Sequence, residues 1–489
     1  MSTDLSRKIE KQPILQATHP IKLYLICFIS MWERYAFYTL RAILVLYMTK
    51  KFLFTDTQAY SAFAMFSAIV YLTPLIGGYL ADKILGMKRS IMIGGSILIF
   101  GYVLLATQNT AFFYLGLSTI CIGGGLFIPN IASMVGQLYQ ENDMLRESGF
   151  SIFYTSTNIG AFIPPLVTAF IVFRFGWNAA FIMAAISMLF SVIICGLTIQ
   201  NDSKIKGKSN VRLFILFWLS LLSIICFSSK LIQHTHYANI VLFCIGILFF
   251  IFIIQKSFFL EKEPRNKLIA CLILITLSIV FSLLYEQSAM SLMLFTEFNT
   301  HRQLGNWTIP TITFQSLNPL YIIIMGPLLA KLWIYLSKQQ LNPSVTLKFG
   351  LGTCFMGLGF VLLPLAILLF ANQGMISLWW VVASYFLQTL GEMFVSPIGL
   401  SMVSSLSPAK MLGVMMGVWY FATAVANALS GFAANLTTIS SHSNLPVLTS
   451  ATYEHAFALM GALTLFVGIC IIALSPLLSK MIGKKSFST

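Results

Sequence analysis

Charged residues are scarce in this sequence, and acidic residues are the scarcest. Only 9% of the 489 residues are charged, with 15 Asp and Glu against 30 Lys and Arg, whereas 58% are hydrophobic. A soluble domain usually carries about 25% charged residues. The shortage of charge excludes a soluble globular protein of this length and predicts an all-α polytopic membrane protein.

Cysteine pairs and catalytic constellations are also missing from the sequence. The eight cysteines stand singly within apolar runs, and none forms a CxxC pair. We therefore interpret them as small apolar packing residues. No nucleophile–base pair, phosphate-binding loop or metal-ligand cluster appears, so we expect neither an enzyme nor a metal site nor a bound cofactor.

Long apolar runs, by contrast, occupy most of the chain. A helix that spans a bilayer needs about 20 apolar residues, and polar breaks divide this sequence into fourteen runs of suitable length. They lie near 21–48, 57–81, 90–107, 110–137, 150–173, 178–199, 212–229, 238–255, 267–295, 311–337, 348–371, 377–405, 412–435 and 455–479.

The basic residues are distributed unevenly between the segments that join these runs. If the N-terminus lies in the cytoplasm, 23 Lys and Arg fall in cytoplasmic segments and five in outer segments. Basic residues concentrate on the cytoplasmic side of membrane proteins. The pattern predicts a multi-pass protein with both termini in the cytoplasm, and it explains the net charge of +15 without a nucleic-acid partner.

Short motifs recur between two parts of the chain. Gly123 and Pro129 recur 268 residues later as Gly391 and Pro397, and the pair Glu33 and Pro74 recurs 253 residues later as Glu286 and Pro327. Such repetition is typical of transporters that place their binding site between two halves. It predicts a tail over 1–20, a six-helix half over 21–200, a linker with two extra transmembrane helices over 201–266, a second six-helix half over 267–480, and a tail over 481–489.

Three charged residues, Glu33, Arg34 and Arg41, lie deep within the first run. Charges at such a depth are costly and usually face a cavity or a partner group. On a helix, Arg34, Tyr38 and Arg41 share one face. Two interpretations follow: a structural ion pair that clamps two helices, or a substrate-binding face, which the aromatic neighbours of the arginine favour.

Three carboxylates, Glu33, Glu286 and Glu392, are predicted to lie within the membrane. Desolvation favours the protonated form of a carboxyl group, and a nearby arginine favours the ionised form. Groups balanced in this way suit proton coupling, although structural pairing is the alternative for each. No cation lies near Glu286 in its own run, so we expect this residue to lack a built-in counter-charge.

The loop after the second run carries Asp82 next to a basic cluster that includes Arg89. An acid and a base at facing helix ends can form a charge latch. This loop resembles the gating signature of the major facilitator superfamily.

Several motifs together resemble the proton-dependent oligopeptide transporters (the POT or PTR family) of that superfamily. The likeness covers nearly the whole chain, and two extra helices between the halves look like the bacterial branch. The motifs are Glu33-Arg34-Tyr35 with Tyr38, Phe153-Tyr154 with Asn158-Ile159-Gly160, Phe314-Gln315 with Asn318-Pro319, and Gly391-Glu392 with Ser396-Pro397. The resemblance implies the major facilitator fold in a bacterial inner membrane.

The resemblance also implies a function and a set of roles. It implies import of di- and tripeptides by alternating access, driven by the proton gradient and without a cofactor. Arg34 would hold the carboxylate of the peptide and Glu392 its amino terminus. Further residues would complete the site: Tyr38, Tyr71 and Asn158 in the first half, Asn318, Ser396 and Trp419 in the second half, Glu33 and Glu286 for proton coupling, and Asp82 and Arg89 for gating.

The sequence departs from the family pattern at two positions. Ser30 stands where the family has a glutamate, and Ile128 stands where it has a lysine. The loss of one charge of each sign leaves the net charge of the cavity unchanged, and it removes two groups that the family uses for coupling and for carboxylate binding.

Two alternatives to proton-coupled peptide import therefore stay open. One is a carrier of another small organic solute with altered or absent coupling, and the other is a non-transporting membrane sensor, for which no large soluble signalling domain is present. The expected partners are small peptides, protons and the lipid bilayer, and we expect a monomer.

Overall fold

A computed structural model of the chain describes residues 18–140, 145–198, 211–408, 411–438 and 445–483. These residues are predominantly helical. The α-helices, in chain order, are α1 (Ile21–Lys50), α2 (Asp56–Leu80), α3 (Met87–Ala106), α4 (Thr110–Gln137), α5 (Arg146–Phe175), α6 (Trp177–Thr198), α7 (Val211–Gln233), α8 (Thr235–Ser257), α9 (Lys262–Tyr285), α10 (Ser291–Phe298), α11 (Leu317–Lys338), α12 (Val345–Phe370), α13 (Leu378–Leu406), α14 (Leu412–Asn435) and α15 (Pro446–Ile482).

Shorter elements connect or extend these helices. A π-helical turn (Ala81–Leu85) follows α2, and two 3₁₀ segments (Glu286–Ala289 and Thr311–Ser316) precede α10 and α11. Four two-residue strands are present in the described part of the chain: β1 (Thr300–His301), β2 (Gln303–Leu304), β3 (Trp307–Thr308) and β4 (Ile376–Ser377). Strand β1 pairs with β4 in parallel, and β2 pairs with β3 as an antiparallel hairpin.

Each of the fourteen predicted runs corresponds to a helical span, and the all-α polytopic fold class is confirmed. Within the described residues, 13 helices are long and apolar enough to cross a membrane. The remaining span is α1, which has 30 residues. At about 1.5 Å of rise per residue, a helix of this length exceeds the ~30 Å hydrocarbon core of a bilayer. Its central charges explain why its apolar character is weaker.

Local sequence determines where several helices begin. Thr55 accepts a hydrogen bond from the backbone N–H of Gln58, whose side chain accepts one from the backbone N–H of Thr55 in return, which forms a capping box at the start of α2. The side chain of Asn109 caps α4 by accepting from the backbone N–H of Ala111 at 2.8 Å. Gly86 enters α3 with φ of 80°, a conformation that glycine adopts without strain.

Glycines bring helices together at matching places in the two parts of the chain. A Cβ atom on Gly123 of α4 would lie 2.8 Å from the carbonyl oxygen of Gly94 on α3. A Cβ atom on Gly391 of α13 would lie 2.5 Å from the carbonyl oxygen of Gly352 on α12. Small residues allow such close approach between membrane helices. Gly123 and Gly391, which the repeat pairs with each other, therefore occupy equivalent helix contacts.

The buried side chains form two large cores. The first core is formed mainly by α1 to α6, and the second mainly by α9 to α15. We call the helices around each core the first and the second bundle. Helix α7 lies against the first bundle, and α8 contacts both bundles. The Ser118 hydroxyl of α4 donates to the carbonyl oxygen of Ile225 on α7 at 2.6 Å. Ala238 of α8 belongs to the first core, and the Phe249 ring of α8 packs on Phe421 of α14 with centroids 6.2 Å apart.

The two bundles are in contact at the end where α1 terminates. Lys50, the last residue of α1, forms an ion pair with Glu297 of α10, and Glu297 also pairs with Arg302 at 3.2 Å. Nearby, a Cβ atom on Gly431 of α14 would lie 2.9 Å from the Cβ atom of Ala64 on α2. This end of the molecule is therefore closed by contacts between the bundles.

Candidate functional site

A cavity of about 230 Å³ lies between the two bundles. Ligand pockets usually measure about 300–1,000 Å³, so this cavity suits a small substrate. The residues that line it come from α1, α4 and α5 on one side and from α9, α11 and α13 on the other: Ser30, Glu33, Arg34, Tyr38, Ile128, Ile131, Ala132, Phe153, Tyr154, Thr157, Asn158, Ala161, Tyr285, Asn318, Pro319, Ile322 and Glu392.

The arginine in this lining forms an ion pair with its neighbour in the sequence. Arg34 donates from Nε to Glu33 Oε2 at 2.6 Å and from Nη2 to Glu33 Oε1 at 2.8 Å. Its guanidinium lies 5.2 Å from the centroid of the Phe37 ring. A guanidinium has five N–H donors, so this pairing leaves three of them for a ligand. The pair stays within α1 and does not clamp two helices.

Glu392 enters the cavity from α13, accepts one hydrogen bond from an amide, and forms no ion pair with another described residue. Its carboxylate accepts from Asn318 Nδ2 on α11 at 2.6 Å, and the same Nδ2 also donates to Thr389 Oγ1 at 3.2 Å. The side chain of Glu392 is half-buried. An ionised carboxylate in this position can accept further hydrogen bonds from an ammonium group.

Glu286 forms a buried ion pair with Arg41, and the expectation that Glu286 lacks a counter-charge is wrong. Arg41 Nη1 donates to Glu286 Oε2 at 2.9 Å, and the two residues are 8% and 1% exposed. The cation belongs to α1, 245 residues away in the chain, so it could not be recognised from the run that contains Glu286. Unlike the pair of Glu33 with Arg34, this pair joins α1 to the 3₁₀ segment that follows α9.

The chain departs from the α-helical conformation at Glu286. Helix α9 ends at Tyr285, a 3₁₀ segment follows, and α10 begins at Ser291, whereas the sequence predicted one continuous run over 267–295. The freed backbone is bonded elsewhere: Tyr385 Oη donates to the carbonyl oxygen of Ser288 at 3.2 Å. Backbone in this arrangement is tolerated at membrane depth because the surrounding protein provides its hydrogen bonds.

Two further predicted residues of the N-terminal part of the chain lie in the cavity, and one does not. Tyr38 and Asn158 contribute to the lining, and Asn158 Nδ2 also donates to the carbonyl oxygen of Tyr154 at 2.9 Å. Tyr71 is half-buried against the core of α1 to α6 and is not part of the lining.

In the C-terminal part, Asn318 and Glu392 lie in the cavity, whereas Ser396 and Trp419 lie outside its lining. Ser396 is one helical turn beyond Glu392 and is exposed. The Trp419 ring fills the space in front of Gly399, which has no side chain. Ser396 thus belongs to a helix that contributes to the lining, whereas α14, which carries Trp419, contributes no residue to it.

The predicted gating residues Asp82 and Arg89 are both exposed. Asp82 lies in the π-helical turn after α2, and Arg89 lies in the first turn of α3. Neither residue forms an ion pair with any other residue that the structure describes. A charge latch between them is thus not formed in this conformation.

The structure adds residues that the sequence interpretation did not assign to the site. Tyr154 and Tyr285 line the cavity, and Tyr154 is 51% exposed. Arg41 is the partner of Glu286. The spacing of Arg34, Tyr38 and Arg41 on one helix face indicated that Arg41 is close to the site. No local sequence pattern identified the residue with which it pairs.

Comparisons with known proteins agree with one another. The sequence profile of the POT family matches residues 88–453. The dipeptide and tripeptide permease A of Salmonella typhimurium is 32% identical over 98% of this chain and 97% of its own length. The dipeptide and tripeptide permease B of Aliivibrio fischeri is 32% identical over 96% of both chains.

Solved structures of peptide transporters are similar to this structure over almost the whole chain. A crystal structure of the peptide transporter POT in complex with sulfate superimposes with a TM-score of 0.83 at 28% identity, covering 95% of this chain and 96% of its own. A tetrameric crystal structure of PepTSo2 superimposes with a TM-score of 0.82 at 26% identity, covering 94% and 99%.

Proposed function

The chain belongs to the POT family of peptide transporters, and on that premise we propose that it imports di- and tripeptides together with protons by alternating access. It is a multi-pass protein of the bacterial inner membrane, a transporter rather than an enzyme, and it needs no cofactor. Its driving force is the proton gradient.

The observation that carries the proposal is the distribution of polar groups in the cavity between the bundles. Among the described residues, Arg34 of α1 bonds only to Glu33, which leaves three N–H donors for a ligand, and Glu392 presents a carboxylate from α13. A peptide carries acceptors at one end and an ammonium group at the other, so it can contact both groups at once. Arg34 then donates to the C-terminal end, Glu392 accepts from the amino terminus, and Tyr38, Asn158 and Asn318 contact the backbone.

Tyr71, Ser396 and Trp419 are assigned to a different stage of the cycle. They lie outside the cavity in this conformation, and each belongs to a helix that a rocking motion moves: α2, α13 or α14. We assign them to the substrate path once the halves have moved. This motion relates two six-helix halves over 21–200 and 267–480, with the linker of two helices over 201–266 between them.

Proton coupling is assigned to Glu286, with Glu33 as the second acid. The Arg41–Glu286 pair joins α1 to the 3₁₀ segment before α10, and hence one half to the other. A proton that neutralises Glu286 removes the charge on one side of this pair, and the contact between the halves weakens. Proton binding to Glu286 is thereby linked to separation of the two halves at this contact.

Orientation follows from the charge distribution along the sequence. With both termini in the cytoplasm, the end closed by Lys50 and Glu297 is the outer end, and we assign this conformation to the inward-facing state. Asp82 and Arg89 then lie on the cytoplasmic side and pair when that side closes. Residues of one chain line the cavity on both sides, which supports our proposal that the functional unit is a monomer.

Uptake by purified protein tests this function directly. The protein is reconstituted in liposomes, and uptake of a radiolabelled dipeptide is measured with and without an inward proton gradient. Accumulation that depends on the gradient supports the proposal. Equal uptake with and without the proton gradient indicates an uncoupled carrier. The absence of uptake for any peptide indicates a sensor.

The variant Glu392→Gln tests the role of the carboxylate in the cavity. We expect the affinity for free dipeptides to fall at least about tenfold, because an amide cannot compensate the charge of an ammonium group. An N-acetylated dipeptide has no ammonium group and should lose little. Inhibition of labelled uptake by each peptide gives the two affinities, and equal losses for both would show that Glu392 has a structural or gating role instead.

A further inference from the structure

We propose that this cavity requires a cationic end on its substrate but not an anionic one, so that peptides with an uncharged C-terminus are carried as well as free peptide acids. This inference rests on the proposed peptide transport, and it specifies the substrate class of the same site. The class comprises molecules with a primary ammonium group at one end and a neutral carbonyl group at the other, of which dipeptide amides are the simplest members.

The charged groups of the cavity are few and unevenly paired. Of the described residues that line it, only Glu33, Arg34 and Glu392 are charged. Glu33 and Arg34 neutralise each other through two hydrogen bonds of 2.6 and 2.8 Å. Glu392 forms no ion pair among the same residues, so the lining has one carboxyl group without a cationic partner and no cation without an anionic one.

Arg34 keeps three N–H groups that are not used by Glu33. Its three remaining N–H groups can donate to any oxygen acceptor, including the carbonyl oxygen of an amide. Its positive charge is already matched by Glu33, which is 3% exposed and has little access to water as an alternative partner. The carboxylate of a peptide acid therefore gains hydrogen bonds at Arg34 but little net attraction, and an amide gains similar hydrogen bonds.

The cavity that contains Arg34 also has an apolar lining. Ile128, Ile131 and Ala132 of α4 and Phe153 of α5 contribute to this wall and offer no charged group. A carboxylate that leaves water for an apolar wall has a much larger desolvation cost than a neutral amide. This wall therefore removes the advantage that a free acid would have over its amide.

Three ligands in one assay test the inference: a dipeptide, the same dipeptide as its C-terminal amide, and its N-acetylated form. Each competes with a labelled dipeptide for uptake by the full-length protein in liposomes, and direct uptake of the labelled amide is measured in parallel. We expect the inhibition constant of the amide to lie within about threefold of that of the acid, and the N-acetylated form to be at least about tenfold weaker. An amide that is more than about threefold weaker than the acid overturns the inference.

The variant Ile128→Lys places a cation on the apolar wall, and Ile128→Met is the matched control of similar size. The lysine variant should prefer the acid over the amide at least about tenfold, whereas the methionine variant should keep the preference of the unmodified protein. A lysine variant that retains the original ratio of acid to amide contradicts the inference. If the lysine variant does not fold, the comparison of acid and amide on the unmodified protein decides the question alone.

The outcomes separate this inference from the proposed function. Dipeptide uptake with poor recognition of the amide leaves peptide transport intact and rejects the inference. Uptake of the amide without uptake of any peptide acid rejects the proposed function and retains the ligand class. Uptake of neither rejects both.

Discussion

The variant Glu286→Gln is expected to lose proton-driven accumulation of peptide and about 3–5 kcal/mol of stability, while downhill exchange survives. Arg41 would remain buried without its counter-charge, and the removal of one partner from a buried pair typically has a cost of this size. The substituted amide cannot bind and release a proton, so the proton gradient can no longer drive accumulation through this residue. Counterflow in liposomes measures exchange, accumulation under a pH gradient measures coupling, and thermal unfolding in detergent measures stability.

Two further variants serve as controls for this prediction. The double variant Arg41→Gln with Glu286→Gln should regain part of the lost stability, because neither charge is then left alone, and it should still fail to accumulate peptide. Glu263→Gln removes a surface acid that pairs with Lys267 at 2.8 Å, and it should leave the unfolding temperature unchanged because exposed pairs contribute little. Full accumulation by Glu286→Gln would refute the assignment of coupling to this residue.

The variant Arg34→Ala is expected to reduce uptake to background without preventing insertion into the membrane. It removes the N–H donors that face the substrate and leaves Glu33 buried and unpaired. Arg34→Lys should also transport poorly, because an ammonium group cannot reproduce the two-pronged contact of a guanidinium. Uptake per molecule of correctly inserted protein, quantified after purification, is the relevant measurement.

The double variant Glu33→Gln with Arg34→Gln separates two possible roles of the arginine. If Arg34 serves only to neutralise Glu33, the double variant should exchange peptide almost normally in counterflow, which does not depend on the coupling role of Glu33, since no charge is left unpaired. If Arg34 contacts the substrate, the double variant should be as stable as the unmodified protein and still fail to exchange peptide. We expect the second result, and near-normal uptake by Arg34→Ala would contradict it outright.

The sequence alone predicts the helices of this protein well, because bilayer thickness imposes a length and an apolar composition on every span. It does not predict where a span is interrupted. The break at Glu286 involves neither glycine nor proline in the residues that follow, and it depends on hydrogen bonds to distant residues, such as the one from Gln287 to the carbonyl oxygen of Ser430 at 2.9 Å. Such contacts exist only after the helices have packed.

The candidate site is predictable to a similar degree. The family resemblance, carried by motifs on α1, α5, α11 and α13, pointed to Arg34, Tyr38, Asn158, Asn318 and Glu392, and these positions line the cavity. The pairing of Arg41 with Glu286 was not predictable, since the two residues are separated by 245 positions. Trp419 was placed in the site by analogy, whereas the absence of a side chain at Gly399 provides the space that its ring occupies.

The two inserted helices have a mechanical consequence. Helix α7 is bonded to α4, and α8 packs on the first core near its start and lies along α14 and α9 farther on. The two helices are separated by a single residue, His234. If the bundles rotate relative to each other as we propose, the angle between α7 and the far part of α8 changes. Spectroscopic labels at the two ends remote from His234 would measure this angle, and they would follow each turnover from outside the substrate path.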